Sequence, residues 1–180
     1  ELGMDSAAIT DHGVMYGVID FYRAAKAAGI NPILGCEVYV APGSRFDREI
    51  GSGDDRYYHL VLLAENNQGY QNLMKIVSKS FKEGFYYKPR VDLELLREYH
   101  EGLIALSACL AGEVPRYLEK GLYEEAKKAA KRHLEIFGEG NYFLELQDHG
   151  IPLQRQVNQG IMRLSKELNI PLVATNDCHY

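Results

Sequence analysis

Ala8-Ile9-Thr10-Asp11-His12-Gly13 is an apolar run that ends in two polar side chains and then a glycine. A buried strand has this look when its C-terminal tip delivers chemistry and a turn leads away. Leu172-Val173-Ala174-Thr175-Asn176-Asp177-Cys178-His179 repeats the pattern at the far end. A third copy lies between them, where Tyr142 to Leu146 runs into Gln147-Asp148-His149-Gly150. Each stretch alone reads as a strand whose His bonds locally. Three together read as one site built by converging strand tips.

The composition fits one folded domain. The chain has 180 residues, of which 46% are hydrophobic and 25% charged, ordinary values for a globular protein. A net charge of -5 makes the whole chain no electrostatic magnet for nucleic acid, so any such contact needs a local patch. The three cysteines, Cys36, Cys109 and Cys178, form neither a disulfide framework nor a CxxC pattern. A reducing, cytoplasmic setting is expected. No apolar run reaches the length of a membrane span, and no signal peptide is read. Glu1-Leu2-Gly3 reads as the end of a helix already under way, so the chain is expected to be an N-terminally truncated fragment.

Between the tips, helical and strand periods alternate. A helix is expected over about Gly17 to Ala28, with Val18, Phe21, Tyr22, Ala25 and Ala28 as its apolar stripe. A strand follows over Ile33 to Val40. Glu37 lies on the face opposite Leu34, Cys36, Val38 and Val40, a carboxylate in an apolar setting that must be paired, protonated or metal-bound. Ala41 to Arg56 reads as a long mobile loop. In the strand Tyr57 to Ala64, His59 stands near the start. A purely parallel barrel would put it at the wrong end, whereas a hairpin would bring it beside Glu37. Tyr70, Leu73, Met74, Val77 and Phe81 form the expected core stripe of a helix over Asn67 to Lys82. Gly84-Phe85-Tyr86-Tyr87-Lys88-Pro89-Arg90 reads as an aromatic loop folded onto the domain, or as a nucleic-acid contact through Lys88 and Arg90. The strand Leu103 to Ser107 delivers Cys109, either a small buried hydrophobe or a soft ligand. Helices over Glu113 to Lys120, Leu122 to Phe137 and Leu153 to Leu168 complete the pattern, and His133 carries no assigned role.

The order is that of a mainly parallel α/β fold, and polar residues at successive strand tips favour a barrel. The tip residues are His12, Glu37, His59, Cys109, His149, Asp177 and His179. Imidazoles, carboxylates and a thiol suit Zn, Mn or Fe, whereas Mg alone would favour oxygen ligands. Several metals held this way suit phosphate-ester hydrolysis. Asp11 is expected to orient an imidazole from behind the ligands.

Thr10-Asp11-His12-Gly13, Gly35-Cys36-Glu37, Tyr58-His59-Leu60, Ser107-Ala108-Cys109 and Asn176-Asp177-Cys178-His179-Tyr180 resemble successive motifs of the PHP (polymerase and histidinol phosphatase) domain. Asn67 to Leu73 and Gly84 to Asp92 resemble the version found in bacterial replicative DNA polymerase III alpha subunits. The resemblance covers residues 1–180 as one PHP domain and implies a distorted (β/α)7 TIM-like barrel whose first strand is missing here. It implies His12, Glu37, His59, Cys109, Asp177 and His179 as ligands, with Asp177, His179 and Glu37 acting through the metals. His149 matches a family-typical position without an assigned ligand role. The family opens with an HxH strand and an acidic residue that precede this chain, so three ligands would be absent. Up to three divalent metals are expected in an intact domain, and Mg in a polymerase domain elsewhere. The implied activity is that of a DNA-directed DNA polymerase subunit with a metal-dependent 3'-5' exonuclease or phosphoesterase domain, the fragment itself being inactive. The implied partners are DNA and other replicase subunits, with no membrane. Two alternatives stand beside it: a stand-alone phosphoesterase of the histidinol-phosphatase kind, and a non-catalytic scaffold stabilised by metal.

Overall fold

The computed structural model of the chain describes residues 2–48 and 56–179. Its strands are β1 (Ser6–Ile9), β2 (Asn31–Val40), β3 (Tyr58–Ala64), β4 (Arg90–Val91), β5 (Leu103–Leu106), β6 (Tyr142–Leu146) and β7 (Leu172–Ala174). Its helices are α1 (Val18–Ala27), α2 (Asn67–Glu83), α3 (Leu93–Glu98), α4 (Glu113–Glu119), α5 (Tyr123–Phe137) and α6 (Pro152–Leu168). The sheet runs β1-β2-β3-β5-β6-β7, with β4 added beside β2. The result is a curled α/β sheet that agrees with a distorted TIM-like barrel. None of the helices among the described residues is long and apolar enough to cross a membrane.

One strand departs from the parallel pattern, and it decides where His59 goes. β3 runs antiparallel to both β2 and β5, while β1–β2, β2–β4, β5–β6 and β6–β7 are parallel. Tyr39 pairs with His59 in the β2–β3 register. The start of β3 therefore lies at the same end of the sheet as the tips of its parallel neighbours. This resolves the position of His59 in favour of the hairpin.

Alternation then sorts each strand between two apolar layers. Cys36, Val38, Val40, Leu60 and Leu62 face the main core, with Leu73, Ile76, Leu95, Leu96, Ile161 and Leu164 from the helices. Val61, Leu106 and Ala108 form a smaller inner cluster, with Leu63, Ile104, Phe143 and Val173 against it. The functional end of the barrel sits above that inner cluster.

Three expectations about packing are corrected. Met74 and Phe81 of α2 stay exposed, and Ile76 takes a core place beside Leu73 and Val77. On α1 only Val18 and Ala25 are buried, and Tyr22 is exposed. Each helix thus buries a narrower stripe than expected, Val18 and Ala25 on α1 and Leu73, Ile76 and Val77 on α2, with Tyr22, Met74 and Phe81 on the rim. The segment expected to be a mobile loop is held tightly over residues 41–48, and residues 49–55 of that expectation lie outside the described residues. Arg45 is buried, its guanidinium 3.1 Å from both Asp92 carboxylate oxygens, with Nε donating to Glu83 Oε2 at 2.8 Å. Asp92 also accepts from the Arg45 backbone N–H and caps α3 through the Leu95 N–H. Burial works against the Arg45 charge, but the carboxylates outweigh it and raise its pKa.

Candidate metal centre

Glu37 is the hub of the site. Its Oε1 accepts from His59 Nδ1 at 2.9 Å, and its Oε2 lies 3.0 Å from His179 Nε2. His12 Nδ1 is 3.9 Å from Oε2, and Cys109 Sγ is 3.9 Å from Oε1 and 3.8 Å from His59 Nδ1. Asp177 Oδ1 accepts from His179 Nε2 at 2.9 Å. The His12 and His179 rings stack with centroids 4.0 Å apart. Two groups can each hold a metal ion: His12, Glu37 and His179, and Glu37, His59 and Cys109. Glu37 belongs to both, with one oxygen turned to each.

Local structure explains each position. His12 continues the β1–β2 pairing past Ile9, because the Gly13 N–H donates to the Glu37 carbonyl and the Glu37 N–H to the Asp11 carbonyl, both at 2.9 Å. Gly13 then turns the chain at φ +68°, where a Cβ would stand 2.8 Å from the Tyr39 ring. After β5 the chain makes a tight loop in which the Gly112 N–H donates to the Cys109 carbonyl at 2.9 Å. A Cβ on Gly112 would strike the Ser107 carbonyl, so only glycine closes this loop. Ala108 and Asp177 hold φ +67° and +49°, left-handed conformations that cost an ordinary residue about 1–2 kcal/mol. Strain at these two points turns Cys109 and Asp177 toward the hub.

The electrostatics suit cations. Burial works to raise the Glu37 pKa, but the hydrogen bond and charge of His59, with His12 and His179, hold it below the usual carboxylate range. Burial lowers the His12 imidazole pKa against the pull of Glu37. The Cys109 thiol is pushed up to about 12, first by burial and then by the Glu37 and Asp177 charges. Such a thiol must shed its proton to take a metal. Nitrogen, oxygen and sulfur donors converge without a bulky apolar group between them, so the donor set fits a divalent transition metal.

Residues 1–149 match the PHP domain. The chain belongs to the PHP domain family. It is 51% identical over 179 residues to the DNA polymerase III subunit alpha of Treponema pallidum, covering 99% of this chain and 15% of that protein. It is 47% identical over 174 residues to the same subunit of Thermus aquaticus, covering 96% of this chain and 14% of that protein. The chain thus spans about 15% of the length of these curated relatives. A solved structure from Bifidobacterium adolescentis, whose proposed activity is that of a metal-dependent phosphoesterase, superposes with a TM-score of 0.59. That alignment covers 99% of this chain and 79% of the other at 12% identity, which shows a shared fold.

Within the PHP domain, all six expected ligands gather at the hub, and the other expected residues do not. His149 lies aside: its Nε2–H donates to the Asn176 carbonyl at 2.9 Å, and its Nδ1 accepts from Gln154 Nε2 at 3.1 Å. Gln154 Oε1 also accepts from the His149 backbone N–H, so Gln154 holds both the backbone and the ring of His149. His149 therefore ties the loop after β6 to the residue before Asp177. The Asp11 carboxylate lies toward Gly17 at the start of α1, away from the imidazoles. Its backbone carbonyl does the positioning, accepting from Glu37 N–H and, at 3.4 Å, from Cys36 Sγ–H.

Arg90 corrects the expected nucleic-acid contact. It is fully buried, with Nε donating to the Gly84 carbonyl and Nη2 to the Arg45 and Asp47 carbonyls. Its alternation on β4 sends it under the loop, while Lys88 stays on the surface.

Glu145 was missed. It is buried below the hub, accepting from Gln147 Nε2 at 2.9 Å and Thr175 Oγ1 at 3.1 Å. Burial raises its pKa to about 7 against these hydrogen bonds, with Glu37 and Asp177 adding to the rise. The signal was present: Tyr142-Phe143-Leu144-Glu145-Leu146 sets a carboxylate in an apolar strand, as around Glu37.

Proposed function

We propose that this PHP domain is part of a DNA polymerase III alpha subunit and binds divalent metals at the Glu37 hub to hydrolyse phosphodiester bonds, as a 3'-5' exonuclease. The observation that carries the reading is the sharing of one buried carboxylate between two three-residue ligand groups. The high identity to alpha subunits along nearly the whole chain supports the parent protein. DNA and other replicase subunits are the proposed partners and the cytoplasm the proposed setting. Zn or Mn is the proposed metal, with Fe also compatible with the donors, and the intact centre holds up to three. A polymerase domain elsewhere in the subunit would use Mg.

His12, Glu37 and His179 would hold one ion, and Glu37, His59 and Cys109 another. Bound there, divalent metals would lower the pKa of a water so that its hydroxide form attacks phosphorus, and would supply charge to stabilise the leaving oxygen. The chain's own part is to hold the donors in place. Asp177 Oδ1, 2.9 Å from His179 Nε2, would stand as a further carboxylate donor beside the first ion, and His149 fixes the backbone before Asp177. Cys109 gives up its proton when it becomes a ligand.

The test is elemental analysis of the full-length protein together with a 3'-5' exonuclease assay run without deoxynucleoside triphosphates. Asp177→Ala is expected to lower metal content and abolish nuclease activity while polymerisation continues. Nuclease activity and metal content both equal to wild type in that variant would refute the assignment. Metal loss without any nuclease activity in the wild type would leave the centre as a structural support.

A further inference from the structure

A groove of about 480 Å³ opens beside the metal centre, with His59 on its wall. Its size is within the range of ordinary ligand pockets. Tyr57, Tyr87, Arg56 and Arg116 line it, with Leu110 and Leu153 as apolar wall and Glu119 adding a carboxylate. None of these residues is one of the six expected ligands, and of them only Tyr87 belongs to a stretch, Gly84 to Arg90, that the sequence offered as a nucleic-acid contact.

Two features mark the groove as built for a flat anionic ligand. The first is Tyr87. It is 60% exposed and holds φ +62°, a left-handed conformation unfavourable for a bulky aromatic residue. The strain gains no core burial in return. It turns the ring outward, with the Arg56 guanidinium 4.2 Å from its centroid. The second is a continuous aromatic wall leading to the metals. Tyr57 stacks on His59 at 6.1 Å and 12°, and Tyr39 meets Tyr57 edge-on at 4.9 Å. Lys88 lies 5.6 Å over the Tyr39 ring. Arg116 is fixed in place by the Tyr57 and Ala111 carbonyls, both at 3.3 Å, and by the Tyr58 ring. A chain of net charge -5 thus sets two guanidinium groups and an ammonium around the aromatic approach to its metal centre.

We propose that this groove seats a nucleotide of a single nucleic-acid strand. The base stacks on Tyr87 or Tyr57, and the phosphates face Arg56 and Arg116. The adjoining phosphodiester then lies beside His59. Stacking accepts any base, and guanidinium groups match phosphate geometry, so the seat grips a strand without reading its sequence. The placing of the adjoining bond rests on the phosphodiesterase reading above; the seat itself does not.

The experiment uses the full-length protein in EDTA, with a single-stranded oligonucleotide carrying 5-iododeoxyuridine at its 3'-terminal or penultimate position. Irradiation couples the base to a stacked side chain, and mass spectrometry locates the peptide. The expected adduct lies on Tyr87 or Tyr57. Tyr87→Leu and Arg56→Ala each lower its yield about tenfold, the size of one lost stacking or phosphate contact. Tyr87→Phe restores it, which separates loss of the ring from loss of the fold. No adduct on either tyrosine, or a yield unchanged in both variants, overturns the seat. The adduct in a protein without nuclease activity supports the seat and refutes the exonuclease reading. Nuclease activity with no adduct does the reverse.

Discussion

Glu37 and His59 face each other at 2.9 Å across the antiparallel β2–β3 pair, and among the described residues β3 is the one strand that runs against its neighbours. Had β3 run parallel, His59 would stand at the opposite end of the barrel and the second ligand group would lose its imidazole. The reversal also brings Gly112 beside His59, whose N–H donates to the Ala111 carbonyl at 3.0 Å, so the Cys109 loop is anchored to the same residue.

Glu37→Gln should empty both ligand groups together. The amide keeps the shape but removes the charge that three imidazoles surround. Metal affinity is expected to fall about a hundredfold or more, at least the upper end of what outer residues of a metal site contribute. Metal content by elemental analysis after gel filtration checks this. Full retention of one ion would show that Glu37 serves a single group.

His149→Ala should weaken the centre without removing a ligand. The variant frees the Asn176 carbonyl and lets the segment with Asp177 drift. Affinity measured by chelator competition is expected to drop about 10–100-fold, with the number of ions at saturation unchanged. A lower number at saturation would make His149 a ligand.

Asp92→Ala should destabilise the domain by about 1–3 kcal/mol, because it removes the buried carboxylate that Arg45 donates to and leaves Glu83 to hold the guanidinium. The double variant Asp92→Ala with Arg45→Met removes the under-paired charge and should recover part of that loss. Urea-dependent hydrogen exchange at the Leu95 amide, whose cap is Asp92, gives the readout. Additive costs in the double variant would contradict a coupled pair.

His133 should make the domain sensitive to acid. Burial beside Tyr142, with Arg132 nearby, holds its pKa at about 4. In the unfolded chain the same group titrates near its ordinary value of about 6.5, so the unfolded state binds more protons between the two values. Stability contributed by neutral His133 is therefore intact above pH 6.5 and is lost as pH falls toward 4. The loss is on the order of 3 kcal/mol. Glu145, raised to about 7, works in the opposite direction, so the measurement is the difference in slope between wild type and His133→Gln. Hydrogen exchange of α5 amides at several pH values supplies it, and equal slopes would sink the idea.

Alternation and strand tips made much of this legible. Apolar runs closed by Asp-His or Asp-x-His marked β1, β6 and β7, residue type and place picked out seven metal-competent tip residues, and the family resemblance implied six of them as ligands. Strand alternation is local, so one sequence suffices to set Glu37 opposite a wholly apolar face. Even so, Glu145 carries the same signature and passed unnoticed, because alternation gives a face but not what lies across from it.

What remained depended on contacts distant in sequence. The direction of β3 decided His59, since a hairpin and a crossover are equally compatible with the residues of one strand. The two-residue pairing of β4 with β2 buried Arg90 and left Lys88 outside, a division within one run of aromatics and cations. Arg45 looked like part of a mobile loop until Asp92, 47 residues away, met it in the fold. The sequence by itself determined which side chains had the chemistry and which strand ends bore them. Only the tertiary structure decided which met, because hydrogen-bond register and the burial of paired charges are set between segments, not within them.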